Sequence, residues 1–222
     1  MDYGKLHPAD WTLIGQASLV TIVLCIGAML GGMLIAALAN APAIWRSLRW
    51  LRPLVVVYVE FFRSTPLLIQ LIAIYFALPL MGVQVPAVLA ASVALVLYSG
   101  AYLTEIFRAG LQSVHRGQWE ASLSLGMSRL QAIHHVIFVQ AARVALPSIV
   151  SFAVLLVKGS SVVSIIGFVE LTRAGRQVVD WTREAFAVWL LVAAIYFLIC
   201  YPLSLISKQL EKRLAHGSRS AL

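Results

Sequence analysis

Ionisable side chains are rare in the long apolar stretches of this sequence, so each one is a candidate for function. The 222 residues are 61% hydrophobic and only 12% charged, and a charge among apolar groups is stable only when it is paired or hydrated. Lys158 lies in such a stretch, with Ser151 on the same helical face and Gly159-Ser160-Ser161 directly after it. Its ammonium group has the chemistry to bind a carboxylate, either of a ligand beside a helix interrupted at Gly159 or of a neighbouring helix. The sequence leaves both interpretations open.

A second group of polar residues has the spacing of one helical face. Tyr98, Tyr102 and Glu105 are related as i, i+4 and i+7, and Arg108 follows about one turn later. Tyrosines near a membrane surface are commonly anchors, but Tyr98 lies deeper in its apolar stretch. Two interpretations therefore remain for this face, an anchor or the lining of a polar pathway.

A third group contains an acid and a base one helical turn apart. Glu60 and Arg63 are spaced i,i+3, which permits an intrahelical salt bridge, and Pro66 follows within one turn. Such a pair either fixes its helix against its neighbours or takes part in gating. We expect structural or gating roles for Glu60, Arg63, Pro66, Glu105 and Arg108.

No catalytic or metal-binding arrangement is recognisable in the sequence. Cys25 and Cys200 lie within apolar stretches and lack the spacing of metal ligands, so we predict packing roles for both. His115, His134, His135 and His216 are predicted to be interfacial polar residues rather than ligands. The chain contains no Gly-x-x-x-x-Gly-Lys-Ser/Thr run, so it is not expected to hydrolyse ATP.

Long apolar stretches must position these residues. Soluble domains average about 45–50% apolar and 25% charged residues, so this composition excludes an ordinary water-soluble fold. The core of a bilayer requires a helix of about 20 apolar residues. The apolar stretches of the sequence therefore predict a single all-α transmembrane domain. It should have five membrane-spanning helices, at about residues 11–38, 54–81, 87–110, 148–169 and 185–207.

The charges between the stretches predict the orientation of the chain. The first and third loops and the carboxyl-terminal tail carry an excess of Arg and Lys, whereas residues 81–86 carry no charge. Since basic loops remain in the cytoplasm, we expect the amino terminus outside and the carboxyl terminus inside. Asp2 and Asp10 outweigh Lys5 before the first stretch, which is therefore predicted to be an anchor and not a cleaved signal. The basic loops account for the net charge of +8, so no nucleic-acid partner is needed.

The segment at about residues 116–145 is amphipathic but is not apolar enough to cross a membrane. Its first part predicts a short helix with Glu120 in the first turn and Gly126 as a left-handed cap. Ser128 and Gln131 have the spacing of a capping box, so a second helix should begin there. We expect Pro147 to end this helix or to kink it. An ordinary solvated loop with an interfacial helix would explain the same pattern.

Five short motifs in chain order resemble one family of membrane proteins. Gly117-Gln118-Trp119-Glu120-Ala121-Ser122, followed by Gly126, resembles the EAA loop of ABC-importer permeases, the segment that docks onto the ATPase subunit. Residues 63–71, 100–108, 140–147 and 156–161 resemble the polar amino acid permeases of the histidine/glutamine type. The resemblance covers most of the chain, from about residue 12 to residue 213.

The resemblance implies an inner-membrane permease subunit with a cytoplasmic coupling helix. The residues carried over to that helix are Gly117, Glu120, Ala121, Ser122 and Gly126. The implied partners are two ATPase subunits, a second identical or homologous permease, a periplasmic binding protein and a polar amino acid substrate. ATP and Mg would be used by the ATPase, and no cofactor is expected in this chain. The candidate substrate pathway then comprises Tyr98, Tyr102, Ser151, Lys158, Ser160 and Ser161.

The sequence departs from the family pattern at several positions. Ser64 and Ser122 replace a glycine and an alanine, which are changes between small residues, and Val139 replaces a proline. Gly159 stands where the family has an aspartate, and this loss weakens any inference about the charge of the substrate. Two alternatives remain at this point: an importer of the same type for an opine or another polar solute, and an ATP-independent channel or membrane scaffold.

Overall fold

The computed structural model describes residues 7–219, and the regular elements of this region are all helices. Asp2 and Lys5, which contribute to the predicted orientation, lie outside the described residues, as do the side chains of His216 and Arg219. The helices are α1 (Pro8–Ile44), α2 (Arg52–Ser64), α3 (Leu67–Leu80), α4 (Ala87–Ser113), α5 (Arg116–Ser124), α6 (Arg129–Ile166), α7 (Leu171–Thr182) and α8 (Ala185–Arg219).

Four of these helices, α1, α4, α6 and α8, are long and apolar enough to cross a membrane within residues 7–219. The predicted second span forms α2 and α3 instead, which meet at an angle of 107°. This stretch is therefore not the single continuous helix that the sequence analysis predicted. Counting the bent pair as one crossing gives five spans, and leaving it out gives four.

The long helices extend beyond the apolar stretches of the sequence. α1 begins at Pro8, a residue suited to the first helical position, and the Asp10 carboxylate accepts a hydrogen bond from the His7 N–H at 2.8 Å. α8 continues past Ser207 to Arg219, because the charged and aliphatic residues that follow are good helix formers. Apolarity therefore marks the part of a helix that can lie in lipid, and not its ends.

α6 changes its winding several times along its length. It is α-helical over Arg129–Ala132, π-helical over Ile133–Ile137, α-helical again over Phe138–Gly159 and a 3-10 helix over Ser160–Ile166. The helix passes through Pro147, so the prediction that Pro147 ends a helix is wrong. Pro147 is buried, and its carbonyl accepts a hydrogen bond from the Ser207 hydroxyl of α8 at 3.0 Å, so α6 is fixed against α8 at this residue.

Close contact between α1 and α4 forms the centre of the bundle. A Cβ atom added at Gly32 would lie 2.6 Å from the Ser99 Cβ, and one at Gly31 would lie 3.0 Å from Val96. A Cβ at Gly100 would lie 2.8 Å from the Ile35 side chain of α1. Small residues at these positions let the two backbones approach, as in other membrane helix pairs.

The charged segment before α8 contains helix α7, which the sequence analysis did not predict. Glu170 caps this helix, because its carboxylate accepts hydrogen bonds from the N–H groups of Thr172 at 3.0 Å and Arg173 at 2.9 Å. It also accepts one from the Tyr196 hydroxyl of α8 at 3.0 Å. Burial raises the pKa of the Glu170 carboxyl above its ordinary value, and the hydrogen bonds oppose this effect.

Both ends of α7 are also hydrogen-bonded to α1. The Leu171 N–H donates to the Thr21 hydroxyl at 3.1 Å, and the Trp181 indole N–H donates to the Asp10 carboxylate at 2.9 Å. The apolar face of α7 is buried between these two contacts. The segment between α6 and α8 is therefore a fixed part of the bundle.

Candidate functional site

The bend between α2 and α3 is stabilised by one buried amide side chain. Pro66 lies at the bend and has no N–H to donate, and the helix direction changes there. The Gln70 Nε2 group donates to the carbonyls of Phe62 at 2.8 Å and Thr65 at 3.0 Å, and to the Thr65 hydroxyl at 2.9 Å. The side chain thus replaces backbone hydrogen bonds that the bend breaks.

We expect Gln70→Leu to lower the melting temperature of the purified complex by about 5 °C. The change leaves two backbone carbonyls unpaired, at about 1–3 kcal/mol each when they are buried. Gln84→Leu, at an exposed glutamine beyond α3, is the matched control and should have no effect. Equal melting temperatures for the two variants would show that Gln70 does not hold the bend.

The second interruption lies in α6, directly after Lys158. The helix changes from α to 3-10 winding at Ser160, which confirms the predicted interruption at Gly159-Ser160-Ser161. A Cβ atom added at Gly159 would lie 3.6 Å from the Leu67 side chain at the start of α3. The interrupted part of α6 therefore faces the bend between α2 and α3.

Lys158 is exposed at this meeting point of two interrupted helices. Among the described residues, no carboxylate lies within 4.0 Å of its ammonium group, so an ion pair within this part of the chain is not formed. The Ser161 hydroxyl donates to the Lys158 carbonyl, and the buried Ser160 hydroxyl donates to the Val157 carbonyl, each at 2.8 Å. Both serines thus close the turn that carries the lysine.

Ser151 has a different environment from the other predicted pathway residues. Its hydroxyl lies 2.6 Å from that of Ser207, so it joins α6 to α8. The adjacent residue, Phe152, points instead towards the aromatic side chains of α4. Ser151 is therefore held against α8, whereas Ser160 and Ser161 form hydrogen bonds within α6 itself.

An aromatic cluster lies between α4 and α6. The ring centroids of Tyr98 and Tyr102 are 4.6 Å apart, and Tyr102 stacks on Phe152 at 5.3 Å. The Arg63 guanidinium of α2 lies 5.6 Å from the centre of the Tyr102 ring, within range of a cation–π interaction. The predicted tyrosine face of α4 therefore receives groups from both interrupted helices.

The charged residues beside this cluster form a three-membered network. The Arg63 guanidinium lies 4.0 Å from the Glu105 carboxylate of α4. The Arg108 Nε atom donates a hydrogen bond to the same carboxylate at 2.9 Å. The salt bridge that the spacing of Glu60 and Arg63 permits is not formed, because in the described residues Arg63 forms its ion pair with Glu105. The Tyr102 ring and the Glu105 charge together draw Arg63 across to α4, whereas Glu60 stays exposed.

The predicted docking segment forms helix α5. Gly126 has a φ of +80°, which confirms it as a left-handed residue after the helix. Glu120 is the fifth residue of the helix, so its predicted place in the first turn is wrong. The helix begins at Arg116 because the His115 Nδ1 atom accepts a hydrogen bond from the Gly117 N–H at 3.1 Å and caps it. The predicted capping box of Ser128 and Gln131 is confirmed at the start of α6.

One side of α5 and the turn after it is exposed. Glu120 and Ala121 are exposed, whereas Ser122 is buried beneath them. The exposed fractions of Leu123 and Leu125 are 51% and 82%, which is unusual for leucine outside a membrane span. The sequence analysis did not select these leucines, although their position beside Gly126 was the available signal.

Interrupted membrane helices with ionisable side chains at the interruptions define a class, the membrane transporters. Residues 28–216 match the family described as "Binding-protein-dependent transport system inner membrane component", and the chain belongs to this family. It is therefore a multi-pass permease subunit of the inner membrane, without ATPase activity of its own. Its importer also comprises an ATPase and a binding protein. This membership excludes the alternative of an ATP-independent channel or scaffold.

Relatives and solved structures confirm the resemblance found in the motifs. The chain is 34% identical over 216 residues to the glutamine transport system permease protein GlnP of Escherichia coli strain K12, covering 96% of this chain and 97% of that one. It is 36% identical over 208 residues to the L-cystine transport system permease protein TcyB of Bacillus subtilis strain 168, covering 92% and 87%. A crystal structure of an amino acid ABC transporter with histidines matches with a TM-score of 0.83 and 35% identity, covering 91% of this chain and 94% of that chain.

Proposed function

We propose that this chain and a second permease subunit form the translocation pathway of an importer for polar amino acids such as glutamine or cystine. The observation that carries the proposal is the exposed Lys158 at the meeting point of two interrupted membrane helices. Every amino acid offers a carboxylate to such a cation. The relatives from Escherichia coli and Bacillus subtilis are permeases for glutamine and cystine, which supports this class of substrate.

In this proposal the residues around Lys158 have separate roles. The ammonium group binds the substrate carboxylate, and Ser160 and Ser161 hold the turn that presents it. Tyr98 and Tyr102 line the adjacent side of the pathway. Ser151 keeps α6 against α8 and contributes indirectly.

The network of Arg63, Glu105 and Arg108 acts as a gate between α2 and α4. Its ion pair joins the two helices at a contact of 4.0 Å, so the pair must separate when the helices move apart. Arg108 keeps the Glu105 carboxylate paired on α4 in both states, because it lies on the same helix. Pro66 permits the movement, since the chain at the bend is not held by regular helical hydrogen bonds. Glu60, exposed on α2, is free to pair with the second subunit.

The exposed side of α5 docks onto the ATPase. Glu120 supplies one directional polar contact, Ala121 allows close approach, and Leu123 and Leu125 supply apolar area. Gly117 and Gly126 define the start and end of this helix, and Ser122 fixes its inner side. Two ATPase subunits, which use ATP and Mg, would bind one docking helix from each of two permeases.

The composition and activity of the complex test this proposal. We expect purification through a tag on this chain to recover an ATPase and a second permease, identical or homologous. Proteoliposomes that contain the complex and its binding protein should take up radiolabelled glutamine or cystine only with ATP on the ATPase side. Uptake without ATP, or purification of this chain alone from gently solubilised membranes, would contradict the proposal.

The proposed orientation gives a further testable result. Cysteines placed at Gln84 and at Gln209, with Cys25 and Cys200 replaced, should react with an impermeant maleimide from opposite sides of the membrane. Both positions are exposed, one between α3 and α4 and the other near the end of α8. We expect reaction at position 84 in intact cells, and at position 209 only after permeabilisation. Reaction at position 209 in intact cells would show that the orientation is the reverse of the proposed one.

A further inference from the structure

We propose that Gln118, Trp119 and Gln140 form a rigid joint that transmits the movement of α5 to α6, and through α6 to Lys158. This inference rests on the proposed docking of α5 to the ATPase and adds how a displacement there reaches the membrane. It assigns a positioning role to residues that do not belong to the exposed docking side or to the group around Lys158.

Two contacts fasten α5 to α6 at and just beyond the end of the π-helical turn. The Gln140 Nε2 group donates a hydrogen bond to the Gln118 Oε1 atom at 3.0 Å, across 22 positions of the chain. The Trp119 ring packs on a small apolar cluster that contains the buried residues Val114, Ile137 and Ala141. The hydrogen bond opposes sliding of α5 along α6, and the ring opposes tilting.

The end of α4 supports the same joint from the other side. A Cβ atom added at Gly110 would lie 2.8 Å from the Ala141 carbonyl oxygen and 3.2 Å from the Ala145 Cβ, so the backbones of α4 and α6 are in direct contact. Val114, the residue directly after the end of α4, belongs to the cluster under Trp119. The ends of α4 and α6 thus form one block on which α5 rests.

The covalent connection from α5 to α6 is less suited to transmit a movement. It passes through Gly126, whose φ is +80°, and then through the π-helical turn Ile133–Ile137. Glycine turns and π-helical turns are places where a chain bends readily. The hydrogen bond between Gln118 and Gln140 bypasses both of them, because Gln140 lies beyond the π-helical turn, and the cluster under Trp119 holds the last residue of that turn, Ile137.

The helix beyond the joint leads directly to Lys158. The α-helical part of α6, Phe138–Gly159, has 22 residues and is therefore about 33 Å long. This helix is continuous through the buried Pro147, so we expect it to move as one body, and a displacement of α5 at the joint then changes the position of Lys158 relative to the bend between α2 and α3. The joint therefore belongs to the transport cycle and not only to the fold.

The test is the number of ATP molecules hydrolysed per amino acid taken up, measured in proteoliposomes of the whole complex with glutamine, histidine or cystine, whichever wild type takes up fastest. We expect Gln140→Leu to retain the ATPase and to raise this ratio about fivefold, the factor that corresponds to one neutral hydrogen bond. Gln112→Leu, an exposed glutamine near the end of α4, is the matched control. The double variant Gln118→Glu, Gln140→Lys should restore the wild-type ratio, because it replaces the hydrogen bond with an ion pair.

Two results would contradict the proposal that this joint transmits movement. One is an unchanged ratio in Gln140→Leu, and the other is loss of ATPase association in that variant, which would indicate a purely structural role. A failure of the docking proposal gives a different result, because wild type itself would then not co-purify with an ATPase.

Discussion

Lys158→Met is expected to reduce amino acid uptake about 10- to 100-fold while the complex with the ATPase still assembles. The estimate corresponds to the loss of one charge-assisted hydrogen bond to the substrate carboxylate. Methionine preserves the length of the side chain and is compatible with the helix, so the α-helix up to Gly159 should remain intact. The measurement is initial uptake, normalised to the amount of assembled complex in the same preparation.

Two further variants complete this experiment. Lys158→Arg keeps the positive charge and should retain part of the uptake, whereas Lys208→Met, at an exposed lysine near the end of α8, should leave uptake unchanged. Wild-type uptake by Lys158→Met would exclude the substrate role. Parallel loss of assembly and uptake would indicate that Lys158 pairs with a carboxylate of the second subunit, since an unpaired buried charge costs about 3–5 kcal/mol.

Glu120→Lys is expected to weaken ATPase association by at least about tenfold, because reversal of a charge at an interface sets like charges against each other. Glu120 lies on the exposed side of α5, and the fold does not depend on it, because the helix is capped at His115 and held by Trp119. The variant should therefore insert normally. The measurement is the ratio of ATPase to permease after purification through a tag on this chain.

The matched control for this reversal is Asp180→Lys. Asp180 is also an exposed acid on a short helix, but it lies on α7, away from the docking segment in sequence and held against α1 and α8. We expect the control to bind the ATPase as wild type does. If the two variants associate equally well with the ATPase, Glu120 is not part of the docking surface.

Features of the fold that depend on neighbouring residues could be predicted from the sequence. Gly126 ends α5 and the Ser128 capping box begins α6, because both signals act within one helical turn. The bend at Pro66 could not be predicted in the same way. A proline in a membrane helix is compatible with a continuous helix, as Pro147 shows, and the bend of 107° also depends on the buried amide of Gln70.

The candidate site was predictable along each helix but not between helices. The spacing of Tyr98, Tyr102 and Glu105 placed them correctly on one face of α4. The partner of Arg63 was missed, because helical spacing favours Glu60 and gives no information about a residue on α4. Helix α7 was missed for a related reason, since its apolar face is short and is interrupted by charged residues.

The hydrogen bonds between α7 and α1 also constrain the order in which the protein can be built. Trp181 bonds to Asp10, and Leu171 bonds to Thr21, across 171 and 150 positions of the chain. At ribosomal rates of about 5–20 residues per second, Asp10 emerges on the order of 10–30 s before its partner exists. During that interval Asp10 and Thr21 have their local hydrogen bonds, to the His7 N–H and the Ala17 carbonyl, and lack those to α7. The first helix of this protein is thus completed only when one of the last is made.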